Sequence, residues 1–187
     1  MDIIIKRLSK ETMSDYLDFF DCPTSSNDPL FAGCYCVWHH WTDELEHERS
    51  NNAEEDRLYF KRNLAAKLIE KGELNGFLAY SNEKVIGWCN ADSKQSYDRL
   101  SKKRSPELWT ELADSDNIFA IVCFIVHPHM QRKGVATELL KIACKEAKAK
   151  GYDYVEAYPD SHQYSMYTKQ GFKLIQHHSS VIALKKL

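Results

Sequence analysis

The residues best suited to chemistry in this chain sit where an apolar run, residues 118–126, gives way to Gln131-Arg132-Lys133-Gly134-Val135-Ala136. A strand that runs into a glycine turn and then a helix is a physical means of holding phosphate. The unpaired first amides of the helix and the positive end of its dipole aim at one spot. Gly134 admits close backbone approach, small Ala136 lets the helix start sit near the anion, and Arg132 and Lys133 add positive charge. Two readings stand side by side: an anion-holding turn that reaches to Thr137, or a plain turn whose basic pair is solvated. Neither the G-x-x-x-x-G-K-[ST] loop nor the G-x-G-x-x-G fingerprint is present, so a bound anion would be a diphosphate on some other cofactor.

Other residues carry weaker signals. Glu156 puts a charge inside the apolar run 154–158, which requires either a partner or a function. Cys123 is a nucleophile if an acyl group passes through the protein, and a buried core thiol otherwise. Six cysteines are present without a C-x-x-C pair, so they read as free thiols. Cys22, Cys34 and Cys36 with His39, His40 and His47 lack the paired spacing of zinc modules, and no metal is expected.

The elements that must position these groups follow from periodicity. A strand is expected over 3–8 and a helix over 9–20, where Met13, Tyr16, Leu17 and Phe20 recur at helical spacing. Residues 21–52 read as an irregular insertion with one short strand in its aromatic run. Asn52 and Glu55 can cap a helix striped by Phe60, Leu64 and Leu68 and stopped at Gly72. Residues 76–80 and 85–90 flank a polar turn as a hairpin. Residues 91–117 read as polar, solvated surface with a short helix around Leu108, Trp109 and Leu112. The run 118–126 reads as a central strand buried on both faces. A helix with Ala136, Leu139, Leu140, Ala143 and Ala147 at core spacing ends at Gly151. A strand over 154–158, a short helix over 165–169 and a hairpin of 173–178 with 181–184 close the pattern.

With 187 residues, 43% of them hydrophobic and 28% charged, the chain can bury a core without disulfides or metal. One domain over 1–187 is expected. A net charge of −2 offers no general attraction for nucleic acid or an anionic membrane. No signal peptide or spanning apolar run is evident, so a cytoplasmic location is the default expectation.

The segment Val126-His127-Pro128-His129-Met130-Gln131-Arg132-Lys133-Gly134-Val135-Ala136 resembles motif A, [QR]-x-x-G-x-[GA], of the GNAT acetyltransferases. Tyr167-Thr168-Lys169-Gln170-Gly171-Phe172 resembles motif B, Y-x-x-x-G-F, in the right order and spacing. The stretches Cys34-Tyr35-Cys36-Val37-Trp38, Gly87-Trp88-Cys89, Val122-Cys123-Phe124 and Glu156-Ala157-Tyr158-Pro159 further resemble a bacterial subgroup whose substrates are largely unassigned.

The resemblance implies an α/β (α+β) fold: a mixed, mostly antiparallel twisted sheet of about seven strands, flanked by helices and splayed at its two central strands. It implies acetyl-CoA as co-substrate, with the pantetheine arm in the splay beside the main chain of Phe124, Ile125 and Val126. Gln131, Arg132, Lys133, Gly134, Val135, Ala136 and Thr137 would then hold the pyrophosphate. Tyr167 matches the tyrosine that protonates the departing thiolate, or is a packed helix tyrosine. The strand glutamate that serves as base in GNAT histone acetyltransferases is replaced here by Ala120, which leaves Glu156, near the splay, as the candidate base. Asp160, where many relatives carry an asparagine, is set aside. Cys34, Cys36 and Trp38 on one strand face, with Trp88 and Cys123, are candidates for the wall of the acceptor pocket. The expected activity is acetyl transfer to an amine of a small molecule or peptide, by a monomer or homodimer. The alternative is a non-catalytic acyl-CoA sensor of the same fold.

Overall fold

The computed structural model describes residues 2–21, 33–50, 56–101, 105 and 117–187. Strand β1 (Ile4–Arg7) leads through a 3-10 turn into helix α1 (Met13–Asp21), and α2 (Asp43–Ser50) and α3 (Asp56–Lys71) follow. The hairpin β2 (Gly76–Ser81) and β3 (Lys84–Ser93) precedes the long strand β4 (Ile118–Val126). Helix α4 (Val135–Ala149), strand β5 (Tyr154–Ala157), short helix α5 (Tyr164–Lys169) and the hairpin β6 (Lys173–His177) and β7 (Ser180–Lys186) complete the order.

The seven strands form one sheet in the order β1-β2-β3-β4-β5-β7-β6. Every pairing is antiparallel except β4 with β5, which α4 connects as a crossover. Two irregularities in β4 build the site. Against β3, Asn90 pairs with Cys123 but Ala91 pairs with Ile121, so Val122 has no cross-strand partner and forms a bulge. Against β5, pairing stops at Ile121 with Ala157, so residues 122–126 run on with no strand on that side. The sheet splays there, as the resemblance implies.

The bulge also resets which way β4 faces. Phe119 and Ile121 pack toward α4, Val122 and Cys123 both fall on the opposite side, and Phe124 and Val126 return to the α4 side. Helix α4 buries Val135, Leu139, Leu140, Ala143 and Ala147 against Phe77, Ala79 and Cys89 of the sheet. Helices α1 and α3 cover the other face, where Tyr16, Phe20, Leu64 and Leu68 pack with Leu78, Tyr80 and Trp88. Gly76 is required on this side. At φ 155, a Cβ there would lie 2.1 Å from the Cys89 carbonyl oxygen and 2.5 Å from the Trp88 ring.

Four expectations change. Residues 35–38 form no strand: Tyr35 and Cys36 take left-handed φ values of 48° and 43°, and a 3-10 turn, Trp38–His40, follows. Helix α2 is unforeseen because it is polar nearly throughout, although its Asp43, Glu44 and Glu46 precede His47 and Arg49 as a helix dipole favours. The part of 91–117 that is described is not mere surface, since β3 runs to Ser93 and Lys94, Tyr97 and Leu100 are buried. Strand β4 is buried only through Ile121 and half-buried beyond it, where the splay opens. Cys22, the Asn52–Glu55 cap and the helix around Leu108 lie outside the described residues.

Candidate active site

Helix α4 begins at a turn that enters the left-handed region twice, with Arg132 at φ 62° and Gly134 at φ 88°. A side chain at Gly134 would meet no atom within 4 Å, so the open space over this residue is available to a ligand. That space is a cavity of about 510 Å³, within the range of small-ligand sites. Phe124, Val126, Gln131, Arg132, Gly134, Val135, Ala136 and Thr137 of the expected set line it. The first-turn amides of α4, those of Val135, Ala136 and Thr137, have no partners within their own helix, and these three residues line the same space. Arg132, His162 and Lys169 contribute basic groups to the lining, and no carboxylate does. Lys133 and Ile125 do not line it. The Ile125 side chain packs against the core under α1 and α3. The Gln131 Nε2 donates to the Val126 carbonyl at 3.3 Å and ties the turn to the end of β4.

A second, smaller cavity of about 160 Å³ shares Phe124 and Gln163 with the first. Val122, Cys123, Tyr158, Asp160 and Tyr167 also line it, so it lies where β4 and β5 part. Tyr167 is buried, its ring edge-on to Phe124 and Phe172. Burial pushes its phenol far above the ordinary tyrosine value, so the group is a proton donor at neutral pH. Glu156 is fully buried and pairs with Lys94, whose Nζ lies 2.7 Å from Oε1. Tyr158 donates its hydroxyl proton to the same oxygen. Glu156 is also the register partner of Ala120, so the carboxylate that Ala120 lacks stands one strand over.

A family profile described as Acetyltransferase (GNAT) family matches residues 33–172. The chain belongs to the GNAT acetyltransferase family. Its fold resembles the PaiA N-acetyltransferase of Thermoplasma acidophilum in complex with coenzyme A, at 18% identity over 100% of both chains and a TM-score of 0.56. It resembles the Drosophila melanogaster polyamine N-acetyltransferase, which catalyses formation of N-acetylagmatine, at 9% identity over 100% of both chains and a TM-score of 0.57. An aminoglycoside N-acetyltransferase in complex with CoA matches at 12% identity over 94% of this chain and 91% of its own, with a TM-score of 0.56. At such identities these likenesses establish the fold alone. No curated protein matches the chain by sequence.

The remaining site candidates of this GNAT chain separate cleanly. Cys123 lines the smaller cavity, and the Cys36 sulfur lies 3.1 Å from its sulfur. The Cys34 thiol is lowered to about 6, chiefly by a hydrogen bond from Cys36. Asn90, the register partner of Cys123, fixes this loop by donating to the Cys36 carbonyl at 3.0 Å. Trp38 does not share a face with these cysteines; it is exposed, with the Arg99 guanidinium 5.1 Å from its ring centre. Trp88 lines neither cavity, because its ring fills the core against Tyr16. Among the described residues no group of His, Cys, Asp and Glu has the arrangement of a metal site, and no helix is long and apolar enough to cross a membrane.

Sequence reasoning missed Lys94, Tyr158, His162, Gln163 and Lys169 and set Asp160 aside. Asp160 lines the smaller cavity while its own N–H donates to Gln163 Oε1 at 3.2 Å. The capping pattern Asp160-Ser161-His162-Gln163 was the available signal for that cluster.

Proposed function

We propose that the chain transfers an acetyl group from acetyl-CoA to a primary amine of a small molecule or peptide by direct attack. The observation that carries this reading is that two wall residues, Phe124 and Gln163, join the basic cavity at the start of α4 to the cavity that holds Tyr167. A diphosphate fits the first, where amides, Arg132 and Lys169 converge without an opposing carboxylate. The open edge of 122–126 fits an extended amide-bearing arm, since its main-chain groups lack a strand on that side. Bound acetyl-CoA supplies an activated acyl thioester.

The protein's own groups then have separable tasks. A main-chain amide of Phe124 or Val126 polarises the acyl carbonyl. Tyr167, held protonated by burial, supplies the proton that the leaving thiolate needs. Glu156 is the carboxylate to which the acceptor's proton finally passes, and its place beside Ala120 favours this catalytic reading over a silent acyl-CoA sensor. Cys123 stays a wall residue, since direct transfer needs no acyl-enzyme. The relatives named as polyamine and aminoglycoside acetyltransferases support a small, cationic acceptor. Release of free thiol from acetyl-CoA across a panel of polyamines, aminoglycosides and amino-terminal peptides tests the proposal. Turnover of at least one class above the rate without amine is expected, and none above background across the panel would refute it.

A further inference from the structure

We propose that Tyr158 is the residue that takes the proton from the acceptor amine, passing its own proton to Glu156. This rests on the acetyl-transfer reading above and assigns a route that Glu156 alone lacks. Glu156 is fully buried and lines neither cavity, so it does not meet an acceptor in the smaller one. Tyr158 does line that cavity, one residue beyond the end of β5, and its hydroxyl is hydrogen-bonded to Glu156 Oε1.

Two phenols therefore share a space of about 160 Å³, and their partners fix opposite roles. A phenol has one proton and lone pairs on its oxygen. Tyr158 has committed its proton to a carboxylate, so toward the cavity its oxygen can only accept, which suits an ammonium or amine N–H. No acceptor among the described residues takes the Tyr167 proton, which is left for the thiolate. The orientation that separates an accepting tyrosine from a donating one is thus built in before any ligand arrives.

Burial and the Glu156 charge raise the Tyr158 phenol well above its ordinary value, so it does not act as a phenolate. The transfer is a relay. The ammonium N–H bond breaks toward Tyr158 Oη and leaves its electron pair on nitrogen, while the Tyr158 O–H bond breaks toward Glu156, and no charge accumulates on the tyrosine. The freed amine then bonds to the acyl carbon, the C–S bond breaks as sulfur takes the Tyr167 proton, and the second N–H proton of the adduct replaces it on Tyr167. Lys94, 2.7 Å from Oε1, holds the carboxylate in place. Glu156 Oε2 is buried with no partner among the described residues, which leaves the carboxylate capacity for a further proton. Glu156 acts through Tyr158 and is the positioning residue of the pair.

The test compares two nucleophiles with the full chain and acetyl-CoA. One is a primary alkylamine drawn from the acceptor panel, which arrives as an ammonium. The other is hydroxylamine, whose nitrogen is already unprotonated at neutral pH. Tyr158→Phe keeps the ring and leaves the Glu156–Lys94 pair intact, so it is expected to fold, as checked by thermal unfolding. It is expected to lower kcat with the alkylamine roughly hundredfold or more while KM for acetyl-CoA stays within twofold. The loss with hydroxylamine should be less than a tenth as large. Glu156→Gln should reproduce this split wherever it folds. Equal loss with both nucleophiles, or wild-type kcat with the alkylamine in Tyr158→Phe, would overturn the relay while leaving acetyl transfer standing. Absence of wild-type turnover with any amine would overturn both.

Discussion

Replacing Gly134 by aspartate probes the anion cradle with the smallest change that opposes its charge. The backbone there sits at φ 88°, where a side chain costs roughly 1–2 kcal/mol of stability and aspartate is among the better tolerated residues. A side chain meets no protein atom within 4 Å, so the fold itself is not overpacked. The new carboxylate instead projects into the space assigned to a diphosphate. Two unit charges 4 Å apart repel by about 1 kcal/mol in water and about 4 kcal/mol at a protein surface. Against a multiply charged diphosphate the loss is therefore at least about 1.4 kcal/mol, or tenfold in Kd. Isothermal calorimetry with coenzyme A on Gly134→Asp and Gly134→Ala separates charge from bulk, and the aspartate variant should bind at least several-fold more weakly than the alanine variant. A folded aspartate variant with wild-type Kd would refute the placement of the anion.

Three further outcomes follow from the same structure. Tyr167→Phe should lower kcat about a hundredfold with coenzyme affinity unchanged, by thiol release and calorimetry; an unchanged kcat would remove it as the acid. Lys94→Met leaves Glu156 buried without its cation and should cost roughly 3–5 kcal/mol in urea unfolding, whereas a loss below 1 kcal/mol would show the pair to be solvated. Burial lowers both His39 and His40 to about 4, against an unfolded value of 6.5. The unfolded chain then takes up protons first as pH falls, so stability present above pH 6.5 drains away toward about pH 4. The loss is about 3 kcal/mol for His40 and less for half-buried His39. Urea midpoints at pH 7 and 4.5 check this, and His40→Asn should flatten the dependence; equal midpoints for the wild type would contradict it.

What was legible in the sequence was what local rules control. Helix α4 announced itself through Leu139, Leu140, Ala143 and Ala147 at a 3.6-residue period, with a glycine at each end. The loop at Tyr35 and Cys36 did not, because two non-glycine residues there adopt left-handed φ, held by the Tyr16 hydroxyl on the Tyr35 carbonyl and by Asn90 on Cys36. The basic cavity was half legible, in the residues around Gly134. Its far wall, His162 to Lys169, comes from a helix beyond a β-strand and carries no anion motif of its own. Glu156 was visible as a misplaced charge, yet its partner Lys94 lies 62 residues away in a stretch that reads as solvated surface. The bulge at Val122 depends on the register between β3 and β4, which no window of one strand contains.

The most direct test of the account is a crystal structure of the full chain with coenzyme A. The expected result places the diphosphate on the first-turn amides of α4 between Arg132 and Thr137, and the pantetheine arm along the open edge of 122–126 toward Tyr167. Coenzyme bound at any other surface, with that cavity empty, would contradict it.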